Sequence, residues 1–137
     1  MYPEHLTKPM EAELVNKGFT ALKSAEDVSK VLDKKEGTTL LVINSVCGCA
    51  AANARPAAVM SLHNEKVPDN IVTVFAGVDG SAVAKAREYT FPYPPSSPSM
   101  GLFKDGKLVH FIERHQIEGR PAQLIAQNLQ AAYNEFC

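Results

Sequence analysis

Met10, Leu14 and Val15 recur at helical spacing within residues 7–17, and Gly18 follows as a stop. Ser24-Ala-Glu-Asp27 has the form of a capping box, and Val28, Val31 and Leu32 carry a second amphipathic helix that Gly37 ends. The rhythm then changes. Residues 38–44 read TTLLVIN, apolar and β-branched without alternation, which is how a strand buried on both faces reads. Ser45-Val46-Cys47-Gly48-Cys49 follows, and the Ala-rich run from Ala50 to Leu62 predicts a helix that Pro56 should kink. Asn70 to Ala76 (NIVTVFA) is a second buried-type strand, and Asp79 is placed to cap a helix running to Tyr89. Residues 91–99 are Pro-rich and must be loop. Met100–Lys104 and Leu108–Glu113 flank Asp105-Gly106, a hairpin-turn signal. Pro121 suits the first position of a closing helix through Leu124, Ile125, Leu129, Tyr133 and Phe136.

The predicted order is α-α-β-α-β-α-β-β-α. A βαβ unit followed by a hairpin and a helix implies an α/β fold: a central mixed sheet with helices on both faces. The chain has 137 residues, 45% hydrophobic and 21% charged, enough for one domain over 1–137 with its own core. Its net charge of −1 argues against nucleic acid as a partner. No run approaches the roughly 20 apolar residues of a membrane span. The N-terminal MYPEHLTKPMEAELVNKGF has no apolar core of a secretion signal, so a cytoplasmic location is the expectation.

The three cysteines are an odd number and too sparse for a secreted disulfide scaffold. In a reducing compartment, close-set cysteines are more often catalytic, redox-sensing or metal-binding. A buried strand that delivers Cys47 and Cys49 to a helix N-terminus places them at free backbone N–H groups and the positive end of the helix dipole. That environment favours a thiolate, the species that attacks a disulfide. The neighbouring cysteine can then attack the mixed disulfide and release the bound thiol. One intervening residue makes a tighter ring than two, and Gly48 is suited to unusual dihedrals.

Other readings of these residues remain open. The pair could supply two thiolates to a metal, but zinc wants about four ligands, and Cys137, His63, His110 and His115 show no paired spacing. The pair could also serve a non-enzymatic thiol carrier or a binding protein on the same fold. Asn53 could cap or bridge locally. Arg55 could steady a thiolate or bind a carboxylate, or be only a solvated helix charge. His115 is more often a surface residue than a proton donor, and Cys137 is expected to be an exposed thiol without a chemical role.

The segment Asn44-Ser-Val-Cys47-Gly-Cys49-Ala-Ala-Ala-Asn53-Ala-Arg55-Pro56 resembles the bacilliredoxin family of small thioredoxin-like bacterial proteins. The likeness continues through Val72–Gly77, Tyr93–Ser99, His115–Arg120 and the terminal Cys137, and covers nearly the whole chain. It implies a thioredoxin-like fold with Ser97–Pro98 as a candidate cis bond beside the cysteines. The implied activity is removal of bacillithiol, or another low-molecular-weight thiol, from S-thiolated cytoplasmic proteins. Cys47 would attack and Cys49, or a free small thiol, would resolve. General disulfide isomerase or reductase activity is the alternative. No cofactor is implied, with bacillithiol entering as a substrate, and exposed apolar helix faces leave room for a homodimer.

Overall fold

A computed structural model describes residues 2–137. The elements are α1 (Glu4–Val15), β1 (Thr20–Ala21), α2 (Ala25–Leu32), β2 (Thr38–Asn44), α3 (Arg55–Ser61), β3 (Asn70–Phe75), α4 (Gly80–Tyr89), β4 (Ser99–Lys104), β5 (Lys107–Ile112) and α5 (Ala122–Phe136). The sheet runs β1-β3-β2-β4-β5. β3 pairs in parallel with both β1 and β2, whereas β4 is antiparallel to β2 and β5.

β2 is the spine of the molecule, and all seven of its residues are buried. Its side chains divide by parity, as a strand's must. Leu40 and Val42 join Leu14 of α1, Ala57 and Ala58 of α3, and Ile125 and Leu129 of α5 in one core. Leu41 and Ile43 join Val28 and Leu32 of α2 and Ala82, Val83 and Ala86 of α4 in a second core on the opposite face. Each of these four side chains contributes roughly 1.5–3 kcal/mol through burial, which pins the register of the strand that leads into the cysteines.

Local chemistry explains the element ends. Ser24 Oγ accepts the Asp27 N–H at 3.1 Å, half of the expected capping box. The Asp27 carboxylate takes the Lys23 N–H (3.0 Å) instead of that of Ser24. Asp105 (φ 52°) and Gly106 (φ 83°) both occupy the left-handed region, as a two-residue hairpin turn requires.

Several expectations need correction. α1 begins at Glu4 rather than Thr7 and carries Pro9 internally. Asp79 sits at the start of α4 without capping it, because its carboxylate turns back to the Phe75 N–H (3.2 Å) and Lys23. Pro121 precedes α5 in extended conformation (ψ 142°) rather than occupying its first turn. The run from Ala50 to Leu62 is not one kinked α-helix. Residues 50–54 form a π turn, in which the Arg55 N–H bonds to the Ala50 carbonyl, and α3 then begins with Pro56 in its first turn. The wider turn removes the demand for an N–H that proline lacks. β1 and the 3₁₀ turn Arg114–Gln116 lie outside the predicted elements.

Candidate active site around Cys47 and Cys49

β2 ends at Asn44, and the helical segment begins as the Cys47 carbonyl accepts the N–H groups of Ala50 (3.0 Å) and Ala51 (3.3 Å). Cys47 therefore occupies the expected helix N-terminus. Both Cys47 and Cys49 are free thiols and half-buried.

The connecting residues are held by a chain of hydrogen bonds. Asn44 Oδ1 accepts the Ser45 N–H (2.8 Å), and Ser45 Oγ accepts the Cys47 N–H (3.2 Å). Arg55 closes the network from beneath, with Nη1 donating to Asn44 Oδ1 (3.0 Å) and to the Ser45 carbonyl (2.9 Å). These contacts fix the Asn44 amide orientation, since the reverse would set three donors against one another. Arg55 is 2% exposed, and its Nε lies 3.1 Å from Glu13 of α1, an ion-pair contact without hydrogen-bond alignment. Arg55 is thus neither a solvated helix charge nor a group facing the thiols. It is a buried clamp under the segment that carries them.

The opposite wall comes from the loop before β4. Ile43 pairs with Ser99, which brings Pro98 alongside the end of β2, and the Ser97–Pro98 bond is cis. Phe91–Pro92 is a second cis bond, outside the sequence expectations. Arg114 Nη1 donates to the Ser97 carbonyl (3.2 Å), its backbone N–H reaches Ser96 Oγ (3.4 Å), and its Nε pairs with Glu118. Asn53 Nδ2 donates to the Arg120 carbonyl and so ties the π turn to the approach of α5.

The two thiols differ electrostatically. Burial pushes the Cys47 thiol up. Hydrogen bonds from the Cys49 thiol, the Ser45 hydroxyl and the Ala50 N–H, together with the charge of Arg114, outweigh burial and hold it below the ordinary cysteine range. Burial also raises Cys49, and the hydrogen bond to Cys47 and the charge on that sulfur push it further, to about 11. The first cysteine is therefore set to ionise and the second to stay protonated.

Gly48 shows no left-handed φ, and a Cβ placed on it would meet nothing within 4 Å. The reduced pair, with no ring to close, does not require glycine there. Cys137 is exposed and shares its surroundings with Thr38, Asp69 and Lys104 at the far end of β2. The seven-residue strand from Thr38 to Asn44, about 20 Å long, separates it from the Cys47 end of the sheet. His115 is exposed on the turn beside Arg114. Among the described residues, no three His, Cys, Asp or Glu side chains gather as a metal site, and no helix is long and apolar enough to cross a membrane. Arg114 escaped the reading of the chain because a polar run after a strand carries no mark of where its turn will aim it.

A low-pKa thiol with a protonated neighbour, mounted where a buried strand meets a helix and faced by a cis-proline loop, has the parts thiol–disulfide exchange needs. The class is that of the thioredoxin-fold thiol–disulfide oxidoreductases. Among solved structures, the Fasciola hepatica thioredoxin superposes with a TM-score of 0.59 at 17% identity, covering 87% of this chain and 100% of that one. A Schistosoma mansoni thioredoxin gives 0.59 at 18% identity over 88% of this chain and 97% of its own, and likeness at these identities speaks to the fold alone. The sequence goes further. The profile of the family described as disulphide isomerase matches residues 2–137. A bacilliredoxin of Cytophaga hutchinsonii is 60% identical over 99% of this chain and 100% of its own length. Those of Halalkalibacterium halodurans (54% identity, 99% of this chain) and Staphylococcus aureus (50%, 100%) each match over 94% of their own length. The chain belongs to the bacilliredoxin family.

Proposed function

We propose that this protein removes bacillithiol, or another low-molecular-weight thiol, from mixed disulfides on cytoplasmic proteins. The observation that supports this most directly is the opposed ionisation of Cys47 and Cys49 at one helix N-terminus. The Cys47 thiolate attacks the small-thiol sulfur of the mixed disulfide. One S–S bond forms to Cys47 as another breaks, and the client protein leaves as a thiolate that takes a proton from solvent. At that moment Cys47 loses its negative charge. The hydrogen bond and repulsion that held Cys49 protonated vanish with it, so the second thiol ionises more easily once it is needed. Cys49 attacks Cys47, the small thiol leaves, and the protein is left with a Cys47–Cys49 disulfide to be reduced by a further thiol. Alternatively, a free small thiol attacks in place of Cys49, leaves as the symmetrical small disulfide, and returns Cys47 reduced.

In this scheme Ser45 and the Ala50 N–H stabilise the thiolate. Pro98 and the Ser97 carbonyl shape the face that meets the disulfide, and Arg55 and Asn53 hold the segment in place. A second reading, protein disulfide isomerase, draws on the high pKa of Cys49: a slow resolver leaves the Cys47 mixed disulfide open to another cysteine of the client.

The test uses a protein carrying one bacillithiol mixed disulfide. Cys47→Ser abolishes release, and Cys49→Ser accumulates a Cys47–bacillithiol adduct visible by mass spectrometry. Full release by Cys47→Ser would overturn the reading. Reshuffling of client disulfides without release of bacillithiol would favour the isomerase.

A further inference from the structure

Arg114 stands outside the machinery that the cysteines and their helix supply. It lies on the 3₁₀ turn after β5, far in sequence from Cys47, yet its backbone N–H reaches Ser96 Oγ and its side chain reaches the Ser97 carbonyl, in the loop across from the thiols. Its Nη1 is anchored at 3.2 Å on the carbonyl of Ser97, the residue before the cis Pro98. Its Nε is taken by Glu118, four residues on. The Arg114 side chain remains 45% exposed and that of Glu118 52% exposed, so solvent reaches both partners. An exposed ion pair of this kind is weak and exchanges readily for another carboxylate. The positive charge acts on both Cys47 and Cys49, so a ligand whose sulfur approaches Cys47 passes within its field.

The other arginine near the thiols cannot do the same work. Arg55 is 2% exposed, and its Nη1 is committed to Asn44 and Ser45. A planar fork of N–H donors matches a carboxylate in geometry as well as charge, which a lysine ammonium at the same place would not.

We infer that Arg114 determines substrate specificity: it exchanges Glu118 for a carboxylate of the incoming small thiol and so selects acidic low-molecular-weight thiols over neutral or cationic ones. The inference rests on Cys47 as the nucleophile. Glu118 then acts as a built-in competitor, holding the guanidinium in place while the site is empty and being displaced when an acidic ligand arrives.

The test is kinetic, on the reduced full chain. Rates of thiolate reaction are measured with three symmetrical disulfides: oxidised glutathione (anionic), bis(2-hydroxyethyl) disulfide (neutral) and cystamine (cationic). Each rate is divided by the thiolate fraction of the same variant, measured by ultraviolet titration, which removes any effect on Cys47 ionisation. The ratio of anionic to neutral rates should fall about fivefold in Arg114→Gln, the scale of one exposed charged contact. It should fall further in Arg114→Glu, stay intermediate in Arg114→Lys, and rise in Glu118→Gln, where the competitor is gone. Lys104→Gln, at the far end of the sheet, serves as the control for general charge and should leave the ratio in place. An unchanged ratio in Arg114→Gln and Arg114→Glu overturns the inference while leaving Cys47 as the nucleophile. Failure of the wild-type protein to react with any of the three disulfides overturns the nucleophile reading and the inference together.

Discussion

Arg55 Nη1 and the carbonyl oxygen of Ser45 lie 2.9 Å apart, which joins a charge buried beneath the site to the residue whose side chain holds Cys47. The same nitrogen donates to Asn44 Oδ1, so one side chain organises the whole turn between β2 and the cysteines. Arg55→Leu leaves the buried Ser45 carbonyl without its donor, at about 1–3 kcal/mol, and takes one of two donors from Asn44 Oδ1, at about 1 kcal/mol, so a loss of about 2–4 kcal/mol is expected in urea unfolding. Arg55→Lys keeps the charge but not the fork and should fall between. A second measurement separates positioning from mere stability. With the clamp gone, Ser45 no longer holds its place, and the Cys47 thiolate should titrate at higher pH. A lower unfolding midpoint with an unmoved thiolate titration would show that the clamp serves stability only.

The pH dependence of the first step follows from the direction of the Cys47 shift. The thiolate is the reactive form and its pKa is lowered, so reaction with a neutral disulfide should rise with pH and level off below the ordinary cysteine value of 9.0. Activity is lost as pH falls through that lowered pKa. Cys49, held near 11, contributes no second rise in the neutral range. In Cys49→Ala the hydrogen bond to the Cys47 sulfur is absent, and the profile should move to higher pH. Stopped-flow rates with bis(2-hydroxyethyl) disulfide give the profile directly, and one that does not move would remove Cys49 from the stabilisation of Cys47.

Tyr133 of α5 offers a test on the packing that backs the active-site helix. Ser61 Oγ donates to the Ala58 carbonyl at 2.7 Å, so the Tyr133 hydroxyl, 2.9 Å away, must donate to Ser61. Burial raises the phenol well above its ordinary 10.0, which outweighs the hydrogen bond to Ser61. A raised folded-state pKa means this contribution to stability is complete below the unfolded value and is lost as pH rises through the folded one. Tyr133→Phe should cost about 1 kcal/mol at neutral pH, the value of one hydrogen bond. Above pH 10 it should lose stability less steeply than the wild type, as read from urea unfolding at several alkaline pH values. Parallel pH curves for the two proteins would contradict this.

What could be read from the chain and what could not divide along a physical line. TTLLVIN announced a strand buried on both faces because Leu40 and Val42 pack one way and Leu41 and Ile43 the other. Asp105-Gly106 announced its turn because the two left-handed residues are a local requirement. β1 is two residues long and exists only through its pairing with Val72 and Thr73, so no periodicity could mark it. Pro56 signalled an irregular helix, but local sequence does not distinguish a kink from a π turn. The largest gap concerns the arginines. Arg55 read as either a partner for a thiolate or carboxylate or a solvated helix charge, and not as a buried clamp, because its partner Glu13 lies 42 positions earlier in the chain, on α1. Arg114 read as part of a polar run because only the return of the chain after β5 brings it to Ser97. Pairings made by tertiary approach leave no local trace, and both cations owe their place to such pairings.

Gly48 decides between two accounts of the tight cysteine spacing. In the reduced protein it adopts no left-handed φ, opens the helical segment and leaves open space where a Cβ would stand. Gly48→Ala should therefore fold normally and stabilise the reduced form by about 0.5–1 kcal/mol, because alanine loses less conformational freedom on folding. Urea unfolding with the thiols kept reduced measures this, and a loss of stability would mean that the reduced turn itself demands glycine. If the reduced variant is stabilised, the need for glycine, where there is one, must arise when Cys47 and Cys49 close on each other. Equilibration in a dithiol–disulfide buffer then provides the second measurement. A shift of Gly48→Ala toward the reduced pair would assign the glycine to the oxidised ring, and an unshifted equilibrium would leave the residue between the cysteines free of any conformational duty in either state.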